Sequence, residues 1–156
     1  MIGGKQILNN KDDFWLRDIL RRLGIRESYK GYRRVLIAVD RCLEDSSRLL
    51  AFRDSIYVYM AEEENISWRT VEKNFRTVVK RAWAINPELV QEIAGYRIDW
   101  DPSVSEFISN LVTYRKKQLR EMELEQQELE RVPKVLERKE ILEKKIHKQL
   151  QGVDIT

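Results

Sequence analysis

Arg69, Lys73, Arg76 and Lys80 recur at steps of four, three and four residues. In a helix turning about 100° per residue, these four cations fall within about 60° of one another. Val71, Phe75, Val78 and Ala82, with Val79 beside them, fall on the opposite side of the same wheel. A helix over 67–83 divided in this way has one face for a core and one for anions. Lysine and arginine neutralise phosphates, and arginine can also grip guanine O6 and N7 bidentately. Glu72 is the exception on this segment: phosphates repel a carboxylate, which is tolerable where it accepts from cytosine N4. Thr70 and Thr77 border the cations and add short hydrogen-bonding groups. Trp68, at the helix start, reads first as a packing residue. A basic stripe is also the ordinary surface of a solvated helix, so the elements around it must decide.

Those elements are helical almost throughout, with no sustained strand-like alternation. The first helix is expected over 12–23, burying Leu16, Ile19, Leu20 and Leu23, with Gly24 as its stop. Lys30-Gly31-Tyr32 leads into a second, with Tyr32, Val35, Leu36, Val39 and Leu43 as its stripe. Asp45-Ser46-Ser47 is a break with capping capacity. A third helical stretch over 49–64 carries Leu49, Phe52, Ile56, Tyr59 and Met60 and ends at the polar corner Glu62-Glu63-Glu64-Asn65. Ser67 then offers an N-cap oxygen, and the helix it opens must stop before Asn86-Pro87. Two helices joined by a short polar corner have the spacing of a helix-turn-helix, in which the first braces the second in the major groove. Pro87 can open a short helix through Ala94, closed by Gly95. After a loop over 96–102, Ser103 and Glu106 form a capping box that opens a long C-terminal helix.

From residue 104 to residue 150 that last helix carries eleven Lys/Arg and nine Asp/Glu, the interspersed charge of a solvated surface. Its apolar residues thin after Val112, and the heptads are partial, with Arg115, Gln126 and Pro133 at positions a perfect seam would keep apolar. Pro133 is expected to kink or break it into pieces over 103–131 and 133–150.

Composition removes several function classes. The net charge of +3 is small, so any nucleic-acid signal lies in where the cations sit. Cys42 is the only cysteine, which excludes a disulfide framework and a cysteine zinc site; in its apolar pattern it reads as a small buried hydrophobe. His147 lies among Lys144, Lys145 and Lys148, without an orienting partner. There is no phosphate loop, metal-spaced cluster or nucleophile elbow, so no catalytic residue, metal or cofactor is expected. No run approaches about 18 apolar residues and residues 1–10 lack a signal-peptide core, which points to a cytoplasmic protein with no membrane partner.

An ordered set of residues carries a family resemblance. Leu23-Gly24-Ile25 is followed by Lys30-Gly31-Tyr32, Ala38 and Asp45, then Ile56-Tyr57, Ala61, Val71-Glu72, Arg76 and Ala82-Trp83. Gly95-Tyr96 and Ser105-Glu106-Phe107-Ile108 complete it. Over residues 12–118 the chain resembles the C-terminal effector domain of the response regulator that initiates sporulation in Firmicutes. The resemblance implies an all-α bundle of about six helices around a helix-turn-helix, whose recognition helix contacts a short DNA box. It also implies that two domains can occupy adjacent boxes. Carried over by position, the base-reading and phosphate-contacting residues fall on Thr70, Glu72, Lys73 and Arg76. Glu72 and Arg76 match the family, Lys73 is a conservative change from arginine, and Thr70 departs from the family's arginine. Losing a bidentate guanine reader there should change the preferred box by about 1–3 kcal/mol at that base pair.

Two larger departures follow. The family's regulator carries a phosphoacceptor receiver domain, whereas about eleven residues precede the first helix here, so control through an attached receiver is not expected. A charged helical extension over 119–150 takes its place, expected to form a homodimer, to pair tandem domains on DNA, or to dock a protein partner. The overall expectation is a sequence-specific binder of double-stranded DNA, a transcriptional regulator lodged at the nucleoid when bound. The alternative is a protein-interaction adaptor, of mobile-element or phage type, that keeps the fold without binding DNA; the acidic corner over 62–64 favours it and the basic stripe opposes it.

Overall fold

Apolar stripes of five helices and the first turns of a sixth close on a single core. A computed structural model describes residues 13–153; the expectations for residues 1–10 and for a helix start at Asp12 lie outside the described residues. Helix α1 runs Phe14–Arg22 and buries Leu16, Ile19 and Leu20, ending at Leu23 and Gly24. Gly24 takes the left-handed conformation (φ 78°) that stops the helix. Helix α2 runs Lys30–Glu44 and buries Tyr32, Val35, Leu36 and Val39 together with Cys42, while Leu43 is only half-buried. Burial pushes the Cys42 thiol up to about 11.

The stretch expected as one helix over 49–64 is three segments. Asp45 accepts from the Ser47 amide at 3.0 Å and caps a 3-10 turn, Ser46–Leu49. A π-helical segment follows over Arg53–Val58, and only then α3, Tyr59–Glu64. The wider π turn rotates the side chains after it relative to an α-helical wheel. Tyr57 consequently turns inward and is buried, whereas Tyr59 is half-exposed and lies under the Arg41 guanidinium, 3.5 Å from its ring centre.

Asn65 closes α3 in the left-handed region (φ 54°, ψ 48°), and the Ile66 amide donates back to the Ala61 carbonyl. Ser67 Oγ then accepts from the Arg69 amide at 3.2 Å, capping α4, Trp68–Ile85, which ends two residues later than expected. Pro87 opens α5, Pro87–Ala94, and Gly95 (φ 80°) ends it. Ser103 Oγ caps the Glu106 amide at the start of α6, Val104–Val153. The Glu106 carboxylate accepts instead from the Tyr96 hydroxyl at 2.6 Å, which ties the preceding loop to the helix.

Helix α6 continues through Pro133, so the expected division into two pieces does not occur. Proline removes one ladder hydrogen bond, but the residues around it are exposed, so water can satisfy the freed carbonyl. Strong helix formers (Glu, Leu, Arg, Lys) on both sides carry the helix on. The chain divides into two units, one ending at Lys116 and the other beginning at Lys117. The first holds the core, to which α6 contributes Val104, Phe107, Ile108, Leu111 and Val112. The second is the remainder of α6.

Within the first unit α2 packs directly onto α4 at Gly31. A Cβ there would lie 2.4 Å from Val78 Cγ2 and 2.6 Å from the Asn74 carbonyl oxygen. Elsewhere in a helix Gly→Ala stabilises by about 0.5–1 kcal/mol. Here Gly31→Ala should instead lower the unfolding free energy by about 1–3 kcal/mol through overpacking. A fall in the urea midpoint without change in its slope is the expected result; an unchanged or higher midpoint would show that the two backbones are not in contact.

Candidate nucleic-acid interface

Helix α4 turns Val71, Phe75, Val78, Val79 and Ala82 into the core. Phe75 anchors this face among aromatic rings: its centre lies 5.5 Å from that of Tyr57 and 6.3 Å from that of Phe52. With the apolar arc fixed, helical geometry fixes the opposite arc. Arg69, Thr70, Lys73, Arg76, Thr77 and Lys80 are all exposed, so the structure brings six of the seven expected contact residues onto one solvent-facing strip.

The helix is held from behind at its middle and at its start. Arg34 on α2 donates through Nε to Asn74 Oδ1 at 3.0 Å and through Nη1 to Glu64 at the end of α3. One largely buried guanidinium therefore joins α2, the corner and α4. At the start of α4 the Trp68 ring stacks on Tyr57, 6.4 Å between centres and 10° between planes. The Arg69 and Arg53 guanidiniums lie over the same indole at 4.9 and 5.7 Å. Trp68 thus packs as expected, and it also positions two cations.

Glu72 is the seventh expected residue and is half-buried beside the strip. Its Oε1 accepts from Arg76 at 2.6 Å, one turn along α4. Tyr57 lies behind this pair; burial and the neighbouring Glu72 charge push its phenol well above the usual tyrosine range, so it stays neutral. Thr77 donates its hydroxyl to the Lys73 carbonyl at 3.0 Å, which leaves its oxygen to accept. Along one flank of the strip runs a groove of about 640 Å³ lined by Tyr57, Glu72, Arg76 and Lys80 and by the loop from Trp100 to Ser103. Arg53, Tyr57 and Trp100 belong to this neighbourhood and are not among the contact residues expected from the sequence. Arg53 and Tyr57 escaped because the π turn, which has no sequence signature, sets their direction.

Among the described residues no group of His, Cys, Asp and Glu is arranged to hold a metal ion. The arrangement can do one kind of chemistry: present fixed and mobile cations, with two hydroxyls and one carboxylate, to an extended anion.

The family model described as sporulation initiation factor Spo0A C terminal matches residues 16–114. The chain belongs to that family. No curated protein matches it significantly. The Spo0A C-terminal family is the DNA-binding effector domain of a sporulation transcription factor, not an enzyme family. The match spans α1 to the first turns of α6, which is the part of the chain that builds the core and carries the strip.

The two faces of α4 should respond very differently to substitution. Phe75→Ala should cost about 3–5 kcal/mol of stability, the usual loss for a buried phenylalanine. Glu72→Gln breaks only a partly exposed pair and should change stability by less than about 1 kcal/mol. Urea denaturation of both variants measures this; a large loss in Glu72→Gln would make the pair a structural element.

Proposed function

We propose that the chain binds double-stranded DNA sequence-specifically through the exposed face of α4 and acts as a transcriptional regulator. The observation that carries this is the strip itself: four cations on one side of a helix-turn-helix second helix, braced by Arg34 and Phe75, in a chain of the Spo0A C-terminal family. Such a helix enters the major groove with its first turns toward base edges. Arg69, Thr70, Glu72, Lys73 and Arg76 lie in the first half of α4, and Thr77 and Lys80 further along it.

The roles divide by chemistry. Arg76 has the planar fork that reads guanine, and Glu72 either holds that fork in place or accepts from cytosine N4. Lys73 and Lys80 are exposed point charges for phosphates, and Arg69 leans from Trp68 toward the same backbone. Thr70, where the family has arginine, offers a hydroxyl and a methyl rather than a fork, so the preferred DNA sequence differs from the family's at that base pair. Arg53 across the Trp68 ring is placed to add a phosphate contact on the flank.

The acidic corner does not favour a protein adaptor as strongly as its composition suggests, because the half-exposed Glu64 is already engaged by Arg34 of α2. Among the described residues no helix is long and apolar enough to cross a membrane. Cytoplasmic location, at the nucleoid when bound, follows from this reading.

Site selection from random duplexes, followed by fluorescence anisotropy at low and moderate salt, tests it. Lys80→Ala should weaken binding to selected and random DNA about equally and reduce the salt slope by about 1. Arg76→Ala and Glu72→Ala should change the selected sequence, at about 1–3 kcal/mol per affected base pair. Binding that is insensitive to salt and to all three substitutions would sink the assignment of α4 as the DNA-reading helix.

A further inference from the structure

The unit beginning at Lys117 has no core of its own. Met122, Leu129, Val132, Leu136, Ile146 and Leu150 each leave about half or more of their surface exposed. Large apolar residues repeated along a helix, mostly at three- and four-residue steps, call for a partner surface.

The charges of the same segment identify the partner. Residues 119–130 carry five glutamates and one arginine, a net of −4. Residues 131–150 carry seven lysines and arginines against three glutamates, a net of +4. The helix macrodipole does not account for this polarity, because its effect fades within the first and last turns. Helix α6 begins at Val104, and the run of glutamates starts only at Glu121. Local pairing accounts for little of it: Glu128–Arg131 and Lys139–Glu143, at 3.8 and 4.0 Å, are loose and exposed. A parallel partner of the same sequence would lay glutamates on glutamates and lysines on lysines. An antiparallel copy lays each acidic half on a basic half while covering both sets of apolar side chains.

We propose that residues 119–150 pair antiparallel with the same segment of a second copy of this chain, the acidic half of each lying along the basic half of the other. The inference goes beyond DNA binding and does not depend on it. The pair is held by apolar burial along the helices and given its direction by charge, the division of labour seen in helical coils. Pairing is in this way a property of the extension.

Sedimentation of the full chain at micromolar concentration tests the partner. Twice the chain mass of 18.7 kDa is expected, and Leu136→Lys with Ile146→Lys should return the chain to single mass with its helical circular dichroism retained. Cysteine cross-linking tests the direction. Glu123→Cys mixed with Lys144→Cys should form the mixed disulfide in preference to either symmetric one. Cys42 will not compete, being buried with its thiol held up to about 11. A single-mass full chain overturns the proposal, whether the segment folds back or binds a different protein. So does a double mass that survives Leu136→Lys with Ile146→Lys, or a preference for symmetric disulfides.

Discussion

The contact on which the α4 site depends is the crossing of α2 over α4 at Gly31. A hydrogen in place of a side chain lets the α2 backbone come down onto the Asn74 carbonyl and Val78. That approach puts Arg34, one turn along α2, within reach of both Asn74 and Glu64. It also brings Val35 and Val39 against the same core as Val71, Phe75 and Val78. With these contacts α4 has only one rotation about its axis that buries its apolar arc. The exposure of Arg69, Lys73, Arg76 and Lys80 is the other side of that constraint.

The corner before α4 is shaped by a second device. A π turn over Arg53–Val58 brings Tyr57 inward, where it touches Phe52, Phe75 and Trp68. Aromatic pairs of this kind add roughly 0.5–1.5 kcal/mol each beyond area burial. They join the segment before the corner to the first turns of the helix after it. The same ring lies against the Glu72–Arg76 pair, so the packing that fixes the corner also limits where that carboxylate can go.

Much of this was legible in the residues. The positions of Val71, Phe75, Val78 and Ala82 fixed the buried face of α4, and Ser67, Pro87 and Gly95 marked helix ends whose capping chemistry is local. The third helical stretch was misread because a π turn changes the side-chain period without changing composition: Tyr59 took the inward place that belongs to Tyr57. Pro133 was overvalued as a breaker. Its cost in a buried helix includes an unsatisfied carbonyl, and in this exposed stretch water is available to that group. The brace of Arg34 spans 30 and 40 residues of sequence to Glu64 and Asn74, and no spacing rule foretells such a contact.

On the proposed DNA-reading role of α4, the Glu72–Arg76 pair bears on how the chain stays selective with threonine at position 70. An ion pair this exposed contributes little to stability, so Arg76 can exchange the carboxylate for a base edge at small cost. While unbound, the same pair keeps the guanidinium from sampling the many rotamers of a free arginine, which reduces the ordering entropy paid on binding. Lysine at position 76 could not do this, since it lacks the fork that matches a carboxylate on one side and guanine on the other. Thr70 lies about 160° round the wheel from Glu72, at the other edge of the strip, where no arginine is pre-set. On the proposed reading, selectivity therefore concentrates on the Glu72–Arg76 edge of α4, and Thr70 adds a methyl-sized contact to the base opposite it.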